Sequence, residues 1–197
     1  MKKAVNGKLT VVLAVIGALL ILSAVSVMII TQVSKGMAEE KARETVTKIR
    51  SLMPEGRDGV TNKGGSAEMP MLEVDGTDYV GLVEIPAYSC ELPVQNEWNS
   101  GSVTKVPCRF TGSAYDGTLV IGGSDNEGQF DFMKLITGGD VVIITDASGY
   151  RYKYTVTDIE KTKDVSAENL CDDTADLTLF ARNTYGFDYT VVRCKYK

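Results

Sequence analysis

The chain has 197 residues, 44% hydrophobic and 24% charged, which is the composition of a folded protein and excludes wholesale disorder. It contains four Cys and no His, which removes Ser-His-Asp and Cys-His catalysis and His-ligated zinc. The net charge is −5, all 26 acidic residues lie beyond position 34, and no basic cluster is present, so the chain does not read as a nucleic-acid binder.

Residues 1–8 carry Lys2, Lys3 and Lys8 and no acid. The next 22 residues, Leu9 to Ile30, carry no charge. As a helix they reach about 33 Å, enough to cross a hydrocarbon core. The pattern predicts a transmembrane helix over 9–30, a cytoplasmic N-terminus and an extracytoplasmic body. A cleaved signal peptide is the alternative, since Ala24-Val25-Ser26 offers small residues, although signal cores run only about 7 to 15 residues. Over 34–53, Ala38, Ala42, Val46, Ile49 and Met53 recur at helical spacing and predict a stalk helix, with docking to a partner as the alternative. Pro54 ends it. Residues 54–69 hold Gly56, Gly59, Gly64 and Gly65 among polar residues and read as a flexible linker. The folded domain is then 70–197.

That domain reads as mainly β. Candidate strands are Tyr79–Ile85, Cys90–Val94, Thr104–Phe110, Thr118–Ile121, Asp140–Thr145, Tyr150–Asp158, Leu177–Ala181 and Tyr189–Arg193. Asp116-Gly117, Gly122-Gly123, Gly138-Gly139 and Ser148-Gly149 are turn signals between them. In Tyr150–Asp158, Arg151, Lys153, Thr155 and Thr157 mark a solvated face. Phe130–Ile136 suits a short helix. About eight short strands fit a closed barrel or a sandwich.

Six segments in order resemble the sortase family, membrane-anchored transpeptidases that use a Cys, a His and an Arg on an eight-stranded barrel. Val80-Gly81-Leu82-Val83-Glu84-Ile85-Pro86 with Glu91-Leu92-Pro93-Val94 is similar to the family's opening strands. Cys108-Arg109-Phe110-Thr111-Gly112-Ser113 falls on its next strand and turn, and Thr118-Leu119-Val120-Ile121-Gly122-Gly123-Ser124 on its strand ending in the catalytic His. Phe130 with Lys134-Leu135, then Gly138-Gly139-Asp140-Val141-Val142, then Leu177-Thr178-Leu179-Phe180-Ala181-Arg182 complete the set. The resemblance covers about residues 79 to 194. It implies a sortase-like eight-stranded β-barrel preceded by the transmembrane and stalk helices, held at the cell membrane.

The same alignment changes the catalytic set. The family's His falls on Ser124, or on Gly123 with a one-residue shift; its nucleophilic Cys falls on Arg182; its Arg falls on Tyr189 or Thr190. No catalytic residue is therefore assigned. Cys194 as a replacement nucleophile has no imidazole beside it, and Ser124 with Lys134 has no supporting motif. Ser124 reads either as a turn residue or as part of a ligand pocket. Arg182 shares the parity of the family's Cys, taken as inward-facing, so it should be buried and paired with Asp125 or Glu127, or else await an anionic ligand such as a peptide carboxylate.

From the resemblance we expect disulfides Cys90–Cys108 and Cys171–Cys194, with free buried thiols as the alternative. No cofactor or transition metal is expected. A calcium site at Asp125-Asn126-Glu127 or at Asp172-Asp173 with Asp176 is the remaining alternative. Three functions fit. One is an inactive sortase-like module that binds sorting-signal peptides, pilins or an active sortase at the membrane. The others are a divergent active sortase cutting LPxTG-like signals and a structural ectodomain contacting surface proteins.

Overall fold

Alternating apolar residues carry the strands of this chain, and the sheet they build closes on itself. The structure, a computed structural model, describes residues 7–60, 68–99, 101–126, 128–171, 173–184 and 186–197. It divides into two units, Met1–Ala38 and Glu39–Lys197. A single helix, α1 (Gly7–Leu52), contributes to both. In the first unit its window Val11–Met28 has mean hydropathy 2.8 and is long and apolar enough to cross a membrane. A membrane span and a signal segment both meet that description.

The second unit contains the strands β1 (Arg57–Asp58), β2 (Leu72–Val74), β3 (Thr77–Ile85), β4 (Cys90–Gln95), β5 (Cys108–Thr111), β6 (Leu119–Ser124), β7 (Val141–Asp146), β8 (Tyr150–Thr162), β9 (Leu177–Arg182) and β10 (Tyr189–Tyr196). A short helix α2 (Ala167–Leu170) precedes β9, capped by the Ser166 hydroxyl accepting from the Asn169 N–H. Hydrogen bonding runs β8-β10-β9-β6-β5-β4-β3, and β7 pairs with both β3 and β8, which closes an eight-stranded barrel. The long β8 makes closure possible, because Arg151–Thr155 pair with β7 while Tyr154–Thr162 pair with β10. The β6/β9 pair is parallel, with Ser124 opposite Arg182, and the β9/β10 pair is antiparallel, with Arg182 opposite Tyr189.

The eight strands read from the sequence are all present, with shifted ends. The third begins only at Cys108, because Asn99 captures the preceding chain: its side-chain oxygen accepts from the Gly101 and Ser102 N–H groups. Gly122-Gly123 lies inside β6 rather than in a turn. The expected helix at Phe130–Ile136 is a 3-10 turn over Asp131–Lys134.

The linker and stalk need correction. Residues 57–58 pair in parallel with β8, the Gly59 N–H donates to the Arg151 carbonyl at 2.8 Å, and the Tyr196 hydroxyl donates to the Gly59 carbonyl at 2.7 Å. Met69 is buried in the core. This part of 54–69 is docked on the barrel; residues 61–67 lie outside the described residues. The expected stalk is docked too. Val46 and Ile49 pack with Val74, Tyr79 and Leu82, and Ala42 joins the main core. Lys48 reaches Asp75 at 2.9 Å and Arg50 Nε donates to Glu91 at 2.7 Å. The folded unit thus starts at Glu39, not at Pro70.

Strand alternation gives the barrel two apolar faces. Leu177, Leu179 and Ala181 of β9, Leu119 and Ile121 of β6, and Val192 and Cys194 of β10 point into the main core. Phe180, Val120 and Val191 point the other way and form an outer cluster with Leu170, Phe110, Val165 and Tyr189.

Candidate functional site

The outer face of β6, β9 and β10 brings together three of the residues singled out from the sequence. Register sets Ser124, Arg182 and Tyr189 in one row across three neighbouring strands. Each shares parity with an outer-cluster residue: Ser124 with Val120, Arg182 with Phe180, Tyr189 with Val191. Thr190 has the opposite parity, is buried, and donates its hydroxyl to Asn183 Oδ1 at 3.1 Å. Of the two alternatives in the last strand, Tyr189 is the one in the row.

Ser124 is buried and held by its backbone. Its N–H donates to Gln129 Oε1 at 2.7 Å, and its carbonyl accepts from the Phe130 N–H at 3.0 Å. Gln129 itself is buried, and its Nε2 donates to the Val103 carbonyl at 3.1 Å. One amide side chain therefore ties the end of β6 to the β4–β5 loop.

Two glycines shape the strand that leads to Ser124. A Cβ on Gly123 would lie 2.6 Å from Phe130 Cδ2. A Cβ on Gly122 would lie 2.5 Å from Phe180 Cζ and closer still to Trp98 Cζ3. Aromatic rings thus close on both sides of β6 where side chains would otherwise stand. Over Gly122, Trp98 meets Phe110 edge-on at 5.3 Å between centroids and Phe180 at 5.4 Å. Phe180 continues to Tyr189 at 6.4 Å. Sequence reasoning missed Trp98 and Gln129 and read Gly122 as part of a turn. A glycine inside a strand was the available signal for a close aromatic approach.

Arg182 corrects the sequence reading. Its side chain is exposed, and among the described residues it has no ion pair. The expected partner Asp125 is occupied elsewhere: its carboxylate accepts from the Thr184 N–H at 2.7 Å and from the Thr184 hydroxyl, and Lys134 Nζ lies 3.4 Å away. Burial raises the Asp125 pKa, but the Thr184 hydrogen bonds and the Lys134 ammonium outweigh it and hold the carboxyl below its ordinary value. Glu127, the other expected partner, lies outside the described residues. The buried guanidinium of this barrel is Arg193, whose side chain is 7% exposed and sits 2.8 Å from Glu160 and 3.3 Å from Asp158. The register that pairs Arg193 with Asp158 of β8 explains why it takes this role.

The four cysteines are free thiols, against the expected bridges. Cys90 and Cys108 stand at opposite ends of β4, since Cys90 begins the strand and Gln95 at its end pairs with Cys108. Five residues of strand separate them by roughly 16 Å, and a disulfide spans at most about 7 Å between Cα atoms. Cys194 points into the core while Cys171 is exposed at the end of α2. Burial pushes the Cys90 and Cys194 thiols up to about 12, so both stay protonated and inert near neutrality.

The row therefore contains no thiol, and the chain contains no imidazole. Lys134 Nζ donates to the Asp125 carbonyl at 2.9 Å and lies 3.4 Å from the Asp125 carboxylate. Among the described residues no group of three or more His, Cys, Asp and Glu is placed to hold a metal. Asp176 accepts from the Tyr196 N–H at 2.9 Å and lies 3.6 Å from Lys195, while Asp172 is outside the described residues. The row offers a hydroxyl, a guanidinium and a phenol beside an aromatic floor.

A closed mainly-β barrel with this strand order, carrying its candidate site at the ends of β6 and β9, defines a fold class that the comparisons identify. The family described as Sortase domain matches residues 83–191. The chain belongs to the sortase family. Among solved structures, sortase C from Clostridium perfringens with the C-terminal cell wall sorting motif is 20% identical with TM-score 0.53, covering 61% of this chain and 71% of that one. Sortase A from Corynebacterium diphtheriae is 19% identical with TM-score 0.52, covering 83% and 84%. Sortase A from Listeria monocytogenes is 20% identical with TM-score 0.52, covering 60% and 87%. At these identities the likeness concerns the fold alone. No curated protein sequence matches the chain.

Proposed function

We propose that this chain is a membrane-anchored, extracytoplasmic member of the sortase family that binds a sorting-signal peptide, free or carried on a pilin, without transferring it. The observation that carries the reading is the row Ser124, Arg182 and Tyr189, set by strand register on the outer face of β6, β9 and β10. Acyl transfer through a thioester needs a thiolate and a group that moves a proton to the leaving amine. By the sequence resemblance, Arg182 stands where the family has its Cys and Ser124 where it has its His. A guanidinium cannot attack a carbonyl, being permanently protonated. It can donate two parallel hydrogen bonds to a carboxylate, or a charge-assisted hydrogen bond to a peptide carbonyl. The sorting motif present with the Clostridium perfringens enzyme supports a peptide as the ligand class.

The test uses the full chain in detergent micelles and an LPxTG-type pentapeptide, followed by two-dimensional NMR and by mass spectrometry of the same samples. The expected result is shifts centred on Ser124, Arg182 and Tyr189 with the peptide intact. Arg182→Ala is expected to weaken binding by roughly ten- to a hundredfold, the loss of a charge-assisted hydrogen bond worth about 1.5–3 kcal/mol. Cleaved peptide would overturn the non-catalytic reading. Binding unchanged in Arg182→Ala would overturn the role of the guanidinium.

A further inference from the structure

Trp98 is the sole tryptophan of the chain and is 40% exposed, yet its indole does not lie on the surface by default. It sits over Gly122, in the space that the missing Cβ leaves, between Phe110 and Phe180. The same floor continues through Phe180 to Tyr189, one end of the row described above. An aromatic ring of this protein thus covers part of the apolar floor beside its own candidate site.

Its attachment is light. Among the described residues, the backbone of Glu97 and Trp98 makes no hydrogen bond to the barrel. The fixed points lie on either side. The Asn96 N–H donates to the Asp78 carbonyl at 2.8 Å, and Arg109 Nη2 donates to Asn96 Oδ1 at 2.8 Å. Beyond it, the turn closed by Asn99 hands its Val103 carbonyl to Gln129. On its outer side the indole borders an open cleft of about 450 Å³ that also touches Asn96, Arg109, Phe110 and Thr111, so it has somewhere to go.

We propose that Trp98 is an internal plug: it fills an apolar subsite over Gly122 in the free protein, and an apolar side chain of a bound peptide takes its place. The inference rests on the peptide-binding reading above and adds to it a competition within the chain. The lining of Phe110, Phe180 and Val120 suits an aliphatic or aromatic side chain, and burying one there removes its own apolar surface from water against the cost of exposing the displaced indole. Gln129 links the plug to the row, because its amide bridges the Val103 carbonyl and the Ser124 N–H.

Because Trp98 is the only indole, its fluorescence reads the subsite directly. The experiment uses the full chain in detergent micelles with a tryptophan-free LPxTG-type pentapeptide. The expected result has two parts: the wild-type emission shifts to the red and acrylamide quenching rises on binding, and Trp98→Ala binds the peptide at least tenfold tighter. Equal or weaker binding by a folded Trp98→Ala, with the wild type still binding, overturns the plug and leaves the peptide reading standing. Binding by neither form overturns the peptide reading and the plug with it. Gly122→Ala supplies a check that needs no ligand. Its methyl group would overlap both the indole and the Phe180 ring beneath it, so the free variant is expected to emit to the red of the wild type, and unchanged emission and quenching in a folded Gly122→Ala overturn the placement of the plug.

Discussion

Asp125 sits almost fully buried one residue beyond the row, and its charge is sustained by the Thr184 N–H, the Thr184 hydroxyl and Lys134. Because its folded pKa is lowered, the unfolded chain binds that proton more tightly than the folded one. The stabilisation is complete above the ordinary carboxylate pKa of about 3.9 and is lost as pH falls through the lower folded value. Asp125→Asn is expected to cost about 1–3 kcal/mol at pH 7 and to flatten the acid limb of stability. Thermal melts of residues 39–197 between pH 7 and pH 3 check this; a variant that keeps the full acid limb would place the titrating group elsewhere. The sequence made Arg182 the natural partner of this acid. Alternation along β9 gave the correct parity, but both faces of β6, β9 and β10 are apolar, one in the main core and one in the outer cluster. Parity on such a strand separates two faces without saying which is inside, and that is why Arg182 was expected buried while Arg193 holds the buried position.

The C-terminal part of α1 shows the same limit for an element. Its apolar positions were legible as a helical stripe, because Ala42, Val46 and Ile49 recur at three- and four-residue spacing. A stripe states that something covers it and not what. Here the cover is β2 and β3, through Val74, Tyr79 and Leu82. Ile49 is fully buried there, so Ile49→Ala is expected to destabilise residues 39–197 by about 2–5 kcal/mol in denaturant unfolding. A loss under about 0.5 kcal/mol, the usual range for surface substitutions, would mean that the stripe is free of the barrel. The Gly122-Gly123 pair is the converse case. Read locally it is a turn, yet it lies within β6 because Phe130, Phe180 and Trp98 fill the places of the absent side chains. Long-range ring packing overrides the local signal, and no window of neighbouring residues contains it.

At the scale of the molecule, the order of strands was legible because each strand carries its own alternation and each turn its own chemistry, and six matched segments in order carried the family. The boundary of the folded unit was not legible, because glycine and polar residues over 54–69 have the composition of a tether whether or not they are docked. In the structure that stretch adds β1 to β8, binds the Tyr196 hydroxyl through Gly59 and buries Met69. Together with Ala42, Val46 and Ile49 it covers barrel surface that a chain starting at residue 70 would expose to water. The stabilisation at stake exceeds that of Ile49 alone, about 2–5 kcal/mol, and each kcal/mol moves the midpoint of a domain of this size by roughly 2–4 °C or more. Residues 39–197 are therefore expected to melt at least about 5 °C above residues 70–197, and the shorter chain to bind the dye ANS through the exposed floor around Val74, Tyr79 and Leu82. Equal midpoints and no dye binding would return residues 39–69 to the role of a spacer, and the barrel would then owe its stability to its closed sheet alone.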